Sequence, residues 1–80
     1  MLDELINAKK TVGVRQSQKA VVSGIVGRVY VAADAADRVR IPFLNLCREH
    51  NVEVESVESM ALLGEACNID VGAAVVAILK

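Results

Sequence analysis

Three short apolar runs, each preceded by a segment of helical period, constrain this fold more than anything else in the chain. "RVYVAAD" (28–34) is β-branched, aromatic and almost continuously apolar. That predicts a strand buried on both faces. "VEVESV" (52–57) alternates strictly, which predicts a strand with one wet face. "VGAAVVAIL" (71–79) has small residues in its first half and β-branched or aliphatic ones after. It predicts a last buried strand.

The intervening segments read as helices. "LDELINAKK" (2–10) places Leu2, Leu5 and Ile6 on one face, with acids early and lysines late, as the helix dipole favours. "TV" (11–12) fits a short strand, and Gly13 marks a break before a helix over about Arg15–Ser23. That helix gathers Ser17, Ala20, Val21 and Gly24 on one side, and Arg15, Gln16, Lys19 and Ser23 on the other. Asp37 is a candidate cap for the next helix, and Pro42 suits the first position of a helix running to about His50, with Asn51 as its stop. Ser59 is placed to cap a helix that Asn68 closes. The order α-β-α-β-α-β-α-β predicts an α/β fold: an α-β-α three-layer sandwich around a small, roughly four-stranded mixed sheet.

The length of 80 residues allows one domain, 1–80, of modest stability. Tyr30 and Phe43 are the only aromatics, so the core must be built from Val, Ala, Leu and Ile. Cys47 and Cys67 stand twenty residues apart with no clustered His. They read as reduced, buried thiols of a cytoplasmic protein, and no metal or cofactor is expected. The N-terminus lacks the apolar core of a signal peptide, and no stretch has membrane-spanning character. No nucleophile motif or phosphate loop is present. Asp34 and Asp37 lie in a loop that needs capping groups, which explains them better than acid–base chemistry. His50, alone at a helix end, reads as a dipole-favoured surface residue. "GIVG" (24–27) has the spacing of a KH-domain loop, but the element order does not fit one. The chain is therefore expected to be a non-enzyme without a small-molecule substrate.

Charge supplies the positive signal. The net charge is only −1, but residues 9–28 hold Lys9, Lys10, Arg15, Lys19 and Arg28 and no acid. Residues 29–80 hold four bases against eight acids. Such asymmetry points to an anionic partner for the basic stretch. The helix start after Gly13 offers unpaired N–H groups and a partial positive charge. Arg15 and Lys19 are one turn apart, and both donate to guanine O6 and N7 or to phosphate. Gln16 donates and accepts.

"GVRQSQKAVVSG", "VYVAADAAD" and "VESMALLGEACNIDVGAAVVAI", in this order, resemble the kink-turn RNA-binding proteins of the ribosomal L-seven-Ae family, and in particular its small bacterial YbxF-like members. The resemblance covers nearly the whole chain. It implies a non-catalytic protein that binds and stabilises kink-turn RNA, a bent element with tandem sheared G·A pairs beside a bulge, in ribosomal or riboswitch RNA as part of a ribonucleoprotein. A protein of this kind is expected to act as a monomer. The implied contacts to the guanines of the G·A pairs fall on Arg15, Gln16 and Lys19, while Gly13 and Val14 lie at the helix start that enters the widened groove. The implied contacts to bulge nucleotides fall on Val57, Glu58, Ser59 and Met60, while Lys9, Lys10 and Arg28 are expected to add phosphate contacts of low specificity. Archaeal and eukaryotic members carry Asn and Glu where this chain has Arg15 and Gln16. Gln16 keeps an acceptor, whereas Arg15 only donates, so phosphate or a base face is its implied target. The alternative function is a protein-interaction adaptor on the same fold, for which the acids after residue 28 argue. An adaptor has no need of an acid-free face from Gly13 to Lys19.

Overall fold

The computed structural model describes residues 9–80. The elements are β1 (Lys10–Val12), α1 (Val14–Val22), β2 (Val26–Ala32), α2 (Asp37–Glu49), β3 (Glu53–Val57), α3 (Met60–Ala66) and β4 (Val75–Leu79). The helix expected over 2–10 falls, up to residue 8, outside the described residues, and Lys10 itself begins β1.

The four-stranded sheet has the order β1-β4-β2-β3. β4 is antiparallel to both β1 and β2, with Val12 opposite Val76 and Val31 opposite Val75. β2 and β3 are parallel, with Ala32 opposite Val57, and α2 makes the crossover that a parallel pair requires. The sheet is therefore mixed, and the last strand of the chain is inserted between the first two.

Side chains alternate between two cores, as the period of two in a strand demands. Val29, Val31, Val75 and Ala77 meet Ala20 and Val21 of α1 and Phe43 and Cys47 of α2 on one face. Tyr30, Ala32, Val76 and Ile78 meet Leu63, Ala66 and Cys67 on the other. Helices thus cover both faces, as the three-layer expectation held. β2 and β4 read as continuously apolar because each feeds both cores, whereas β3 is an edge strand and alternates. The buried Ser17 hydroxyl lies 3.1 Å from that of Thr11, which ties α1 to β1.

The start of α2 corrects the sequence reading. The helix begins at Asp37, and Pro42 lies in its interior rather than at its first position. The missing N–H of Pro42 costs one helical bond. Anchors on both sides outweigh it. Val39 N and Arg40 N both donate to Ala36 O at 2.9 Å, Arg40 pairs with Asp37 at 2.7 Å, and Phe43 and Cys47 are buried against the sheet. Asp37 is the first helical residue, not a side-chain cap. Ser59 does cap α3, accepting from Leu62 N at 3.1 Å. Asn51 and Asn68 adopt left-handed φ values of 57° and 61° just past α2 and α3, as helix stops do.

Candidate nucleic-acid interface

β1, β2 and β3 run in the same direction, opposite to β4. Their C-terminal ends therefore share one edge of the sheet, and each is followed by a helix. The N-termini of α1, α2 and α3 all open at that edge, together with the segment leading into β4. Open α/β sheets place their ligands at such an end.

Gly13 makes the turn into α1. Its N–H donates to Val75 O at 2.8 Å, and its carbonyl accepts from Ser17 N at 3.1 Å. Its backbone sits at φ 101°, ψ 158°, a region essentially reserved for glycine. A Cβ here would meet nothing within 4 Å. Conformation therefore demands the glycine, and the space before it lies open. Among the described residues no side chain caps α1, and its first turn holds no acid. The usual stabilisation of the helix start is missing.

Arg15, Gln16 and Lys19 are exposed along one face of α1, within about 6 Å of helix rise. Arg15 and Lys19 have no ion-pair partner among the described residues. Val14 is half-buried and packs into the core shared with α2. The second cluster follows β3, three strand positions from β1 in the sheet, at the same edge and on the opposite face. There Glu58 and Met60 are exposed and Ser59 is half-buried. Val57 is only 7% exposed and belongs to the core with Tyr30 and Leu63. Its side chain packs beneath the segment.

The structure does not bring Arg28 to this edge. Arg28 lies opposite Ile78 in the sheet, four residues or about 13 Å back from the end of β2 at Ala32, and pairs with Glu53 at 3.5 Å. Lys10 also lies opposite Ile78, at the far end of β1. Sequence reading missed one residue at the edge itself. Arg38, exposed on the first turn of α2, borders a groove of about 240 Å³ that it shares with Val14 and Gln18 of α1. Placing the helix start at Pro42 hid it. Asp34 accepts a hydrogen bond from Met60 N at 2.7 Å, a contact across 26 residues of chain that no local pattern reveals.

A second cleft, about 400 Å³, lies between α2 and β3 and is lined by Val31, Leu44 and Val54. Its walls are mainly aliphatic, and its arginine, Arg40, is held by Asp37. Among the described residues no three potential metal-ligating side chains cluster, and no helix is long and apolar enough to cross a membrane. Both cysteines are free and buried. Burial pushes the Cys47 thiol up to about 11. It also raises Cys67, against a partial lowering by the Lys10 charge. Both are packing groups.

Residues 4–80 match the model of the ribosomal protein L7Ae/L30e/S12e/Gadd45 family. The chain belongs to this family. It is 42% identical over 72 residues to the RNA-binding protein YbxF of Geobacillus stearothermophilus, covering 90% of this chain and 88% of that one. An RNA-binding protein of Geobacillus sp. strain WCH70 is 40% identical over 79 residues, covering 98% and 96%. The solved structure of the Giardia lamblia 15.5kD RNA binding protein superposes with a TM-score of 0.83 at 29% identity, over 99% of this chain and 70% of that one. These L7Ae-family relatives are named for binding and not for a reaction, and the protein groups with non-enzymes.

Proposed function

We propose that this protein binds RNA and that its specific target is a kink-turn. The observation that carries this reading is the start of α1. It is bare, free of acid and preceded by a glycine whose backbone leaves the approach open. Such a terminus is unfavourable in water but complementary to a phosphate backbone. The RNA-binding relatives at about 40% identity support the RNA part, and the sequence resemblance supports the kink-turn part.

In this reading Gly13 and the first turn of α1 enter the widened groove. Lys19 and Gln16 address the edges of the G·A guanines. Arg15, which cannot accept a hydrogen bond, takes phosphate or a base face. Arg38 extends the cationic surface across the groove to α2. Met60 offers apolar surface to an unstacked bulge base, and the Ser59 hydroxyl, which already accepts from Leu62 N, keeps its proton to donate. Binding the bent conformer in preference to the open one shifts the RNA population toward the kink. Ribosomal or riboswitch RNA would present such an element to a bacterial cytoplasmic protein acting as a monomer.

The test is a titration without magnesium against two duplexes, a kink-turn and a control whose G·A pairs are replaced by Watson–Crick pairs. Tight binding to the first with loss on the second is expected. Equal weak binding to both would reduce the basic face to a generic electrostatic patch and leave the adaptor role as the better reading.

A further inference from the structure

The segment that carries Ser59 and Met60 is held in place from two sides. Val57 O accepts from Ala33 N at 2.7 Å, and Met60 O accepts from Ala73 N at 3.0 Å. Ala32 N donates to Ala74 O at 2.9 Å, which draws the two flanking segments together. All of these are backbone bonds, available to almost any sequence. The remaining tie is different in kind. The Asp34 carboxylate accepts from Met60 N at 2.7 Å, so a side chain from the segment after β2 fixes the first residue of α3. With Ser59 on Leu62 N, it satisfies a second N–H of a helix that has no acid in its own first turn.

We infer that Asp34 is a positioning residue for the RNA interface: its carboxylate fixes the Met60 backbone and so presents Ser59 and Met60 to the RNA ready-formed. This rests on the kink-turn reading above. An ordered surface loses less conformational entropy on binding than one that must be ordered by its ligand. Asp34 is exposed, so its removal leaves the Met60 N–H to water and not buried without a partner. The fold is therefore expected to survive, with the effect falling on the geometry of the loop. The acceptor oxygen is what matters. Asparagine keeps such an oxygen at the same reach, and alanine does not.

The experiment compares wild type, Asp34→Ala and Asp34→Asn on three RNAs: the kink-turn, the same kink-turn with abasic bulge nucleotides, and the Watson–Crick control. Amide hydrogen exchange at Met60 is measured in parallel. Asp34→Ala should weaken binding to the intact kink-turn about tenfold. It should match wild type on the abasic RNA and lose protection at the Met60 amide. Asp34→Asn should follow wild type throughout. Unchanged binding by Asp34→Ala, an equal loss on the intact and abasic RNAs, or a matching loss in Asp34→Asn would each overturn the inference while leaving kink-turn recognition standing. A wild-type protein that does not distinguish the kink-turn from the control overturns both, and that is visible before any variant is made.

Discussion

Gly64 tests whether packing or propensity governs α3. It lies in the interior of that helix and is buried. In an exposed helix, Gly→Ala stabilises by about 1 kcal/mol. Here the added Cβ would lie 2.1 Å from Val71 O and 3.1 Å from the Gly72 Cα. An ordinary contact needs at least 3.4 Å. Both sides of the clash are backbone, so no side chain can rotate away. Either α3 or the segment leading into β4 must move by more than an ångström, and that movement strains the Ala73 N to Met60 O bond. Overpacking of this kind costs about 3 kcal/mol. Set against the propensity gain, the net loss for Gly64→Ala is about 2 kcal/mol. At roughly 4–8 °C per kcal/mol for a domain of this size, the midpoint should fall by about 8–16 °C. Thermal unfolding followed by circular dichroism, with a urea titration to confirm an unchanged m-value, measures it. A Tm at or above wild type would refute the close packing of α3 on residues 71–72.

Four further variants have defined outcomes. Gly13→Ala forces an L-residue to φ 101° without a steric clash, so it should lower stability by about 1–3 kcal/mol in chemical denaturation; a stabilised variant would show that the turn relaxes freely. Lys19→Ala should weaken kink-turn binding by about 1–3 kcal/mol, whereas Arg15→Gln, if Arg15 holds phosphate, should reduce the slope of log affinity against log salt by about 1; wild-type affinity and slope in both would remove this face from the interface. The Cys47 thiol, raised to about 11 from 9.0, stabilises the fold fully below pH 9. The folded state holds the proton longer than the unfolded chain does. That contribution, about 3 kcal/mol at most, is lost as pH rises from 9 toward 11, and a Cys47→Ala variant should show a flatter decline in Tm over that window.

The strands were legible because each pattern is dictated by its place in the sheet. β3 alternates with one wet face, and β4 and the run of β2 from Val29 to Ala32 are continuously apolar because each feeds two cores. The helix stops at Asn51 and Asn68 and the Ser59 cap were legible too, since those are local conformations that few residues adopt. The start of α2 was not. Pro42 is a strong local signal for a first turn, and it was overridden by Phe43 and Cys47 packing on the sheet and by the Asp37–Arg40 pair. For the same reason Arg38 went unnoticed, and Val57, apolar beside a polar loop, looked like a contact residue until the structure placed it in the core.

The sequence by itself determined the layers, the acid-free helix start and the break at Gly13 before it, because period and charge are properties of neighbours in the chain. Only the tertiary structure decided the strand order, with β4 inserted between β1 and β2. From that order follow the shared edge where three helices open, the exclusion of Arg28 and Lys10 from it, and the reach of Asp34 to Met60. Each depends on pairing between residues far apart in sequence, and no local pattern encodes which distant strand a strand will choose.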